Sequence, residues 1–111
     1  MEYRMEKRMV TVTIDRKLGT KHPKFDMMYP INYGYIEGII GGDGEEQDAY
    51  IIGVDIPVDS FYGEVIAVVE RFDDCEEKWV VAKAGSKYTE AELENILAFQ
   101  EKYFHHKIHM I

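Results

Sequence analysis

Alternation of apolar and polar residues is the clearest signal near the start of the chain. Residues 9–14, MVTVTI, alternate strictly and are rich in β-branched side chains, which is typical of a strand with one buried face. Apolar runs at 48–54 (DAYIIGV), 63–70 (GEVIAVVE) and 78–83 (KWVVAK) are each bounded by polar turn residues. These runs predict three further strands, and the first of them is expected to be buried.

A fifth extended segment is indicated by its aromatic residues. Residues 29–36 read YPINYGYI; Pro30 disfavours helix at the residue before it, and aromatic residues favour strands. Glycines at 38, 41, 42 and 44 follow, and they predict a break in regular structure.

The one convincing helix is predicted to begin at Thr89. Thr89 and Glu92 have the spacing of a capping box, in which two otherwise unpaired amide groups are satisfied reciprocally. The helix is expected to run to about Phe104. The tail after it, HHKIHMI, has three histidines without paired carboxylates, and we expect a frayed terminus rather than a metal site. The residues predicted to face the core are Leu93, Ile96, Leu97, Gln100 and Phe104.

Five short strands followed by one helix, without alternation of the two, indicate a mainly β, α+β fold. We expect a small five-stranded OB-like β-barrel with one C-terminal α-helix, formed by a single domain over residues 1–111. Barrels of this type bind ligands on one face of the sheet, framed by loops.

Composition narrows the classes of function. The chain has 111 residues, of which 46% are hydrophobic and 31% charged, as in a soluble globular domain. Its 21 acidic and 13 basic residues give a net charge of -8, which argues against nucleic acid or an anionic membrane as a partner. A single cysteine, with no apolar segment suited to a signal peptide or a membrane span, predicts a soluble, cytoplasmic protein.

Two acidic turns carry the candidate chemistry. Residues 43–48, DGEEQD, and residues 71–77, RFDDCEE, each lie next to a predicted strand. Either turn alone is typical of a solvated loop. Carboxylates packed closely repel one another unless a cation lies between them, and their oxygens suit Mg²⁺. Together with nearby basic and phenolic side chains they predict a magnesium-dependent phosphate site. The side chains available to phosphate are Arg16, Lys21, Lys24, Lys78, Tyr33 and Tyr35.

These motifs closely resemble those of the soluble family I inorganic pyrophosphatases. Residues 29–36 are similar to the family motif Y-P-x-N-Y-G-Y-I, and residues 43–48 are similar to D-G-D-P-x-D. The second acidic turn, with Lys78 and the apolar strand after it, looks like a third family motif. The resemblance extends from about Val10 to Phe104. It implies an OB-like barrel, Mg²⁺-dependent hydrolysis of pyrophosphate to two phosphates, and assembly into a homo-oligomer as a possibility left open.

The resemblance also implies roles for individual residues. Two or more Mg²⁺ ions would be bound, with Asp48 bridging them. Glu45 would help to position the attacking water, and Tyr33 would lie beside that water and the metals. The implied metal ligands are Asp43, Asp48, Asp73 and Glu76, and by its motif position Glu45 would also bind metal. The implied contacts to pyrophosphate are Lys78 and Tyr103, with Lys21 at the spacing of a family arginine and Arg16 or Lys17 in place of a family lysine.

Several positions depart from the family pattern, mostly on the phosphate side. Glu45 and Glu46 replace an aspartate and a proline, and Phe104 replaces a lysine that follows the phosphate-binding tyrosine. A hairpin that brings a Lys, a Glu and an Arg is deleted, and the shorter second turn leaves Asp73 and Asp74 competing for one role.

These departures keep alternatives open. One is a weakly catalytic or non-catalytic homologue that binds metal and a phosphorylated ligand. Another is a hydrolase of a different phosphoanhydride. A third, an OB-fold module that stacks single-stranded nucleic acid on its tyrosines, is opposed by the net charge.

Overall fold

The computed structural model describes residues 7–24 and 26–111, and its strands close into a small barrel. Residues 1–6 of the predicted domain and Phe25 lie outside the described residues. No helix within the two described ranges is long and apolar enough to cross a membrane. The elements are β1 (Met9–Arg16), β2 (Asn32–Ile40), β3 (Glu46–Ile51), β4 (Ser60–Arg71), β5 (Glu77–Ala82), α1 (Glu90–Glu101) and β6 (His106–Met110).

Five strands form the barrel in the order β1-β2-β3-β5-β4, and β4 pairs back with β1 to close it. The β3–β5 pair is parallel and the other pairs are antiparallel. The first part of the long strand β4 pairs with β1, and its last part pairs with β6. The expected small OB-like barrel with one helix is therefore confirmed.

The segment after the helix differs from the prediction of a frayed terminus. α1 ends at Glu101 rather than near Phe104, and the tail forms β6 along the edge of β4. Ile108 is buried against Leu93 and Leu97 of the helix. A strand with one buried residue in a histidine-rich tail gives a weak sequence signal. The backbone N–H and C=O groups at the edge of β4 need hydrogen-bond partners, and residues 106–110 provide them by forming a strand.

Two apolar clusters hold the fold together, one inside the barrel and one between the barrel, α1 and β6. Successive residues of a strand point to opposite faces, so β3 and β5 contribute to both clusters and are buried almost throughout. The inner cluster includes Val12, Ile14, Ile36, Ala49, Val68 and Trp79. The helix-side cluster includes Tyr50, Val69, Val80, Leu93, Leu97 and Ile108.

The start of α1 agrees with the prediction. Thr89 Oγ1 accepts a hydrogen bond from the Glu92 backbone N–H at 3.1 Å, and Glu92 Oε1 accepts from the Thr89 N–H at 2.9 Å. Leu93, Leu97 and Glu101 form a buried stripe at a spacing of four residues, as expected for one helix face. The buried charge at the end of this stripe was not predicted.

A close contact between β1 and β2 depends on Gly34. A Cβ atom at this position would lie 1.9 Å from the Thr13 carbonyl oxygen, so any other residue would force the strands apart. Beside it the register shifts between Ile14 and Arg16, which leaves Asp15 as the extra residue of a bulge.

Candidate active site

The two-residue period of the strands places the candidate site on the helix-covered face of the barrel. Tyr50 of β3 and Val80 of β5 belong to the helix-side cluster. Asp48 and Lys78, two residues earlier in the same strands, therefore point to the same face. Arg71 lies at the end of β4 on this face and contacts the end of α1.

The two acidic turns meet because the strands that follow them are parallel neighbours. β3 and β5 both start at the same edge of the barrel, so that Asp48 lies beside Lys78. Lys78 Nζ donates a hydrogen bond of 2.6 Å to Asp48 Oδ2 and lies 3.3 Å from Glu76 Oε2. Asp43 is hydrogen-bonded to Glu76 from the other side. We call Asp43, Asp48, Glu76 and Lys78 the carboxylate cluster.

A small cavity of about 10 Å³ lies within the carboxylate cluster. That volume corresponds to about one water-sized sphere. It is lined by Gly41, Gly42, Asp43, Glu46, Gln47, Asp48, Glu76 and Glu77.

The acids of the cluster differ in their affinity for protons. The Glu45 backbone N–H donates to Asp43 Oδ1 at 3.0 Å, and this bond is the main reason that the pKa of Asp43 is lowered. Burial raises the pKa of Glu76; Lys78 opposes this, whereas the hydrogen bond to Asp43 adds to it. The pKa values of these two hydrogen-bonded carboxyl groups are therefore shifted in opposite directions.

Tyr33 and Asp15 flank Asp48. Burial raises the pKa of the Tyr33 phenol well above its ordinary value, and the Asp48 carboxylate adds to the shift. Tyr33 is therefore a protonated hydrogen-bond donor at neutral pH. Burial also raises the pKa of Asp15; Arg16 opposes the shift and Asp48 adds to it. Asp15 is thus a carboxylate close to Asp48 that the predicted site did not include.

The two aspartates of the second turn have different partners. The Asp73 carboxylate accepts a hydrogen bond of 2.7 Å from the His105 backbone N–H, outside the carboxylate cluster. Asp74 Oδ2 accepts one of 3.2 Å from Arg71 Nη1. Neither lies in the lining of the small cavity beside Glu76.

The remaining predicted site residues do not belong to the carboxylate cluster. Glu45 and Lys21 are exposed. Arg16 contacts Tyr29, where its effect on the phenol's pKa opposes the larger, upward effect of burial. Tyr103 is 49% exposed just after the end of α1.

The carboxylate cluster suits Mg²⁺ in its chemistry but holds a lysine at its centre. Carboxylate oxygens are the ligands that Mg²⁺ prefers, together with water. As placed in the described part of the chain, no group of three or more His, Cys, Asp or Glu residues could by itself hold a metal ion. The Lys78 ammonium is the present counter-ion of Asp48 and Glu76. These carboxylate oxygens therefore fit Mg²⁺ once Lys78 no longer pairs with Asp48 and Glu76.

A buried ion network at the end of α1 was not predicted from the sequence. It consists of Arg71, Glu101, Tyr50 and Gln100. Arg71 Nη2 and Nε donate to the Glu101 carboxylate at 2.6 and 3.0 Å. The Tyr50 hydroxyl donates to Glu101 Oε2 at 2.5 Å and accepts from Gln100 Nε2 at 2.7 Å. The signal for this network was the position of Glu101, four residues after Leu97 on the apolar stripe.

A second, larger cavity lies beside the ion network and was not predicted. Its volume is about 290 Å³, and most of its wall consists of rings. We call it the aromatic cavity. It is lined by His22, Pro23, Lys24, Tyr29, Tyr33, Arg71, Gln100 and Phe104.

Comparison with known proteins identifies the fold. No protein-family model matches the sequence, and no curated protein matches it. Among solved structures, an inorganic pyrophosphatase from Ehrlichia chaffeensis aligns with a TM-score of 0.70 at 18% identity, over 89% of this chain and 83% of that one. The chain has the fold of inorganic pyrophosphatases.

Two further structures support this assignment. An inorganic pyrophosphatase from Coxiella burnetii aligns with a TM-score of 0.69 at 16% identity, over 92% of this chain and 84% of that chain. One from Helicobacter pylori gives 0.68 at 16% identity, over 97% and 88%. Nearly the whole chain thus adopts the pyrophosphatase fold, including the strands that carry the carboxylate cluster.

Proposed function

We propose that the protein is an inorganic pyrophosphatase that hydrolyses pyrophosphate to two phosphates in a Mg²⁺-dependent reaction. The observation that carries this proposal is that Lys78 contacts both Asp48 and Glu76, and Glu76 contacts Asp43, in a chain with a pyrophosphatase fold. A cytoplasmic location belongs to the same proposal.

The metal side of the site would be formed by the two acidic turns. When bound, Mg²⁺ supplies positive charge to the pyrophosphate and lowers the pKa of a water molecule. The chain's own part is to hold the ions, and two or more are proposed. Asp73 could bind a metal ion here only if its hydrogen bond from the His105 backbone N–H is broken. The proposed ligands are Asp43, Asp48, Asp73 and Glu76.

The phosphate side would use the cations and the phenols around the cluster. Lys78, once released from its acids, donates to a phosphate oxygen as a compact charge. Tyr33 remains protonated because its pKa is raised, so it donates a hydrogen bond to the substrate or to the attacking water. Glu45 would position that water. The other proposed contacts to pyrophosphate are Arg16, Lys21 and Tyr103.

The test is phosphate release from pyrophosphate in the presence of Mg²⁺. We expect Asp48→Asn to reduce turnover by about 100-fold or more, since it removes a charge that acts directly on the reacting groups. Asp55→Asn is the matched control, because Asp55 is an exposed loop residue away from the site. Turnover no faster than in buffer, or equal turnover in the two variants, would refute the proposal.

A non-catalytic or weakly catalytic binding protein is the second candidate. It is favoured by one observation: both buried cations of this face, Arg71 and Lys78, are already paired with acids. Such a protein would gain thermal stability from Mg²⁺ and pyrophosphate together without releasing phosphate, which separates it from the enzyme in the same set of measurements.

A further inference from the structure

Apart from Tyr33, the residues that line the aromatic cavity have no part in the proposed hydrolysis of inorganic pyrophosphate. Its volume of about 290 Å³ lies near the lower end of cavities that bind organic ligands, about 300 Å³. Such cavities are lined mainly by aromatic and apolar groups with a few polar ones, and this lining has the same character.

The rings of the wall are arranged for contact with a flat group. His22 stacks on Tyr29 with a centroid distance of 5.2 Å and an angle of 14°, and Tyr29 stacks on Tyr33 at 5.8 Å and 28°. On the other side, the Arg71 guanidinium lies 3.9 Å from the centre of the Phe104 ring. These contacts use some of the ring faces within the wall. A planar ligand would stack on the ring faces of the lining that they leave open.

The polar groups of the wall are already engaged within the protein. Gln100 Oε1 lies 3.0 Å from His22 Nε2 and 3.3 Å from the Tyr29 hydroxyl, which donates to it. Gln100 Nε2 donates to Tyr50. The wall thus presents ring surfaces more than hydrogen-bonding groups.

The charge of the cavity does not match a small polyanion. Arg71 is neutralised by Glu101 at 2.6 Å, and Asp74 lies 3.2 Å from the same guanidinium. Lys24 is then the one lining cation, among the described residues, that is exposed. Inorganic pyrophosphate carries several negative charges, so burying it here would leave most of them uncompensated.

Tyr33 joins the aromatic cavity to the carboxylate cluster. It lines the cavity, its ring lies 5.7 Å from Lys78 Nζ, and its phenol senses the Asp48 carboxylate. A ligand with a flat group in the cavity would therefore extend its other end past Tyr33 towards Lys78 and the acids.

We infer that the site accepts an organic diphosphate whose planar ring fills the aromatic cavity and whose phosphates lie at the carboxylate cluster, a nucleoside diphosphate being the prototype. The inference rests on the proposed function for its chemistry. The oxygen of water bonds to the terminal phosphorus, and the bond from that phosphorus to the bridging oxygen breaks. The bridging oxygen stays with the nucleoside monophosphate, and one proton passes to solvent.

The experiment compares ligands that share a diphosphate and differ in the ring. Binding of ADP and of methyl diphosphate is measured calorimetrically with Mg²⁺ present. Stacking of one base on aromatic side chains should make ADP bind about tenfold or more tightly than methyl diphosphate. Equal affinities, or no binding of ADP, would overturn the inference whatever any variant does. Adenosine binding as tightly as ADP would also overturn it, because the phosphates would then contribute nothing.

A substitution in the wall of the aromatic cavity tests whether the planar ring of the ligand binds there. Phe104→Leu should remove most of the preference for ADP while leaving methyl diphosphate binding unchanged. Phe72→Leu is the matched control, because Phe72 is 55% exposed and does not line the cavity. A preference for ADP that survives Phe104→Leu would refute this location of the ring.

The outcome is separable from that of the proposed function. Hydrolysis of pyrophosphate without a preference for ADP would leave the proposed function intact and overturn the inference. A preference for ADP that depends on Phe104, in a protein that hydrolyses nothing, would support the ligand class and refute the enzyme.

Discussion

Two buried cations lie on one face of the barrel, and they differ in the acids that hold them. The side chains of Arg71 and Lys78 are 4% and 5% exposed, and each makes a 2.6 Å contact with a carboxylate oxygen. The acid that makes the shortest contact with Arg71, Glu101, is fully buried. Two partly exposed acids, Asp74 and Glu76, lie farther from Arg71 Nη1, at 3.2 and 3.6 Å. The acids that hold Lys78, Asp48 and Glu76, are 33% and 28% exposed.

This difference decides which pair can exchange its partner. The oxygens of Glu101 are used by Arg71 and Tyr50 in a site without solvent, so breaking the pair leaves an unpaired buried charge. Asp48 and Glu76 can turn to water or to a divalent cation when Lys78 releases them. The same ion-pair chemistry thus builds a fixed support in one place and an exchangeable site in the other.

The largest expected effect is the loss of the fixed pair. Arg71→Met should lower the free energy of unfolding by about 3–5 kcal/mol, because Glu101 keeps a buried charge with no cation. Urea unfolding followed by circular dichroism measures it. Adding Glu101→Leu to Arg71→Met should restore much of the loss, since it removes the stranded charge. A double variant no more stable than the single one would show that packing, not charge, holds this region.

A smaller effect is expected at the exchangeable pair. Lys78→Met should cost about 1 kcal/mol, because Asp48 and Glu76 can be hydrated when the lysine is gone. It should also lower the Mg²⁺ concentration for half-maximal thermal stabilisation by about tenfold, since the metal no longer competes with a fixed positive charge. If Lys78→Met destabilises the protein as much as Arg71→Met, the distinction between the two pairs is wrong.

The smallest effect on stability is expected at an exposed ion pair, which serves as a reference for the two buried cations. Glu94 lies 2.6 Å from His106 and is 46% exposed. Burial lowers the pKa of His106, but hydrogen bonds to Glu94 and to the Phe104 carbonyl outweigh it, so the pKa is raised. The resulting stabilisation is fully present below the unfolded pKa of about 6.5 and is lost as the pH rises through the folded pKa.

The measurement is the free energy of unfolding at about pH 5.5 and about pH 8.5 for the wild type and for His106→Gln. The substitution should remove a pH-dependent contribution of less than about 1 kcal/mol, as for other exposed pairs. An unchanged pH dependence in His106→Gln would mean that this pair does not stabilise the fold.

Much of the fold could be predicted from local patterns. Alternation at 9–14 and the capping box at Thr89 each gave the element found in the structure. The parallel pairing of β3 with β5 has no local signature, yet it is what brings the two acidic turns together. The strand β6 was missed because its conformation depends on the free edge of β4, which is distant in sequence.

The candidate site was predictable in its residue types and less so in their partners. Asp48, Glu76 and Lys78 could be named because acids next to strands are visible in the sequence. The orientations of Asp73 and Asp74 depend on their hydrogen bonds with His105 and Arg71. These contacts form only in the folded chain. The metal roles of these residues stay predictions.

The strand β6 also has a consequence for the behaviour of the protein in concentrated solution. Without it, the last third of β4 would present a row of free amide and carbonyl groups to other chains, which is how sheets recruit strands from neighbours and grow into aggregates. β6 covers that row with Ile108 turned inward and carries Lys107 and two histidines along a strand of only five residues. A short, charged strand is a poor template for further pairing. The histidine-rich tail thus covers the part of β4 that would otherwise be open to strand addition.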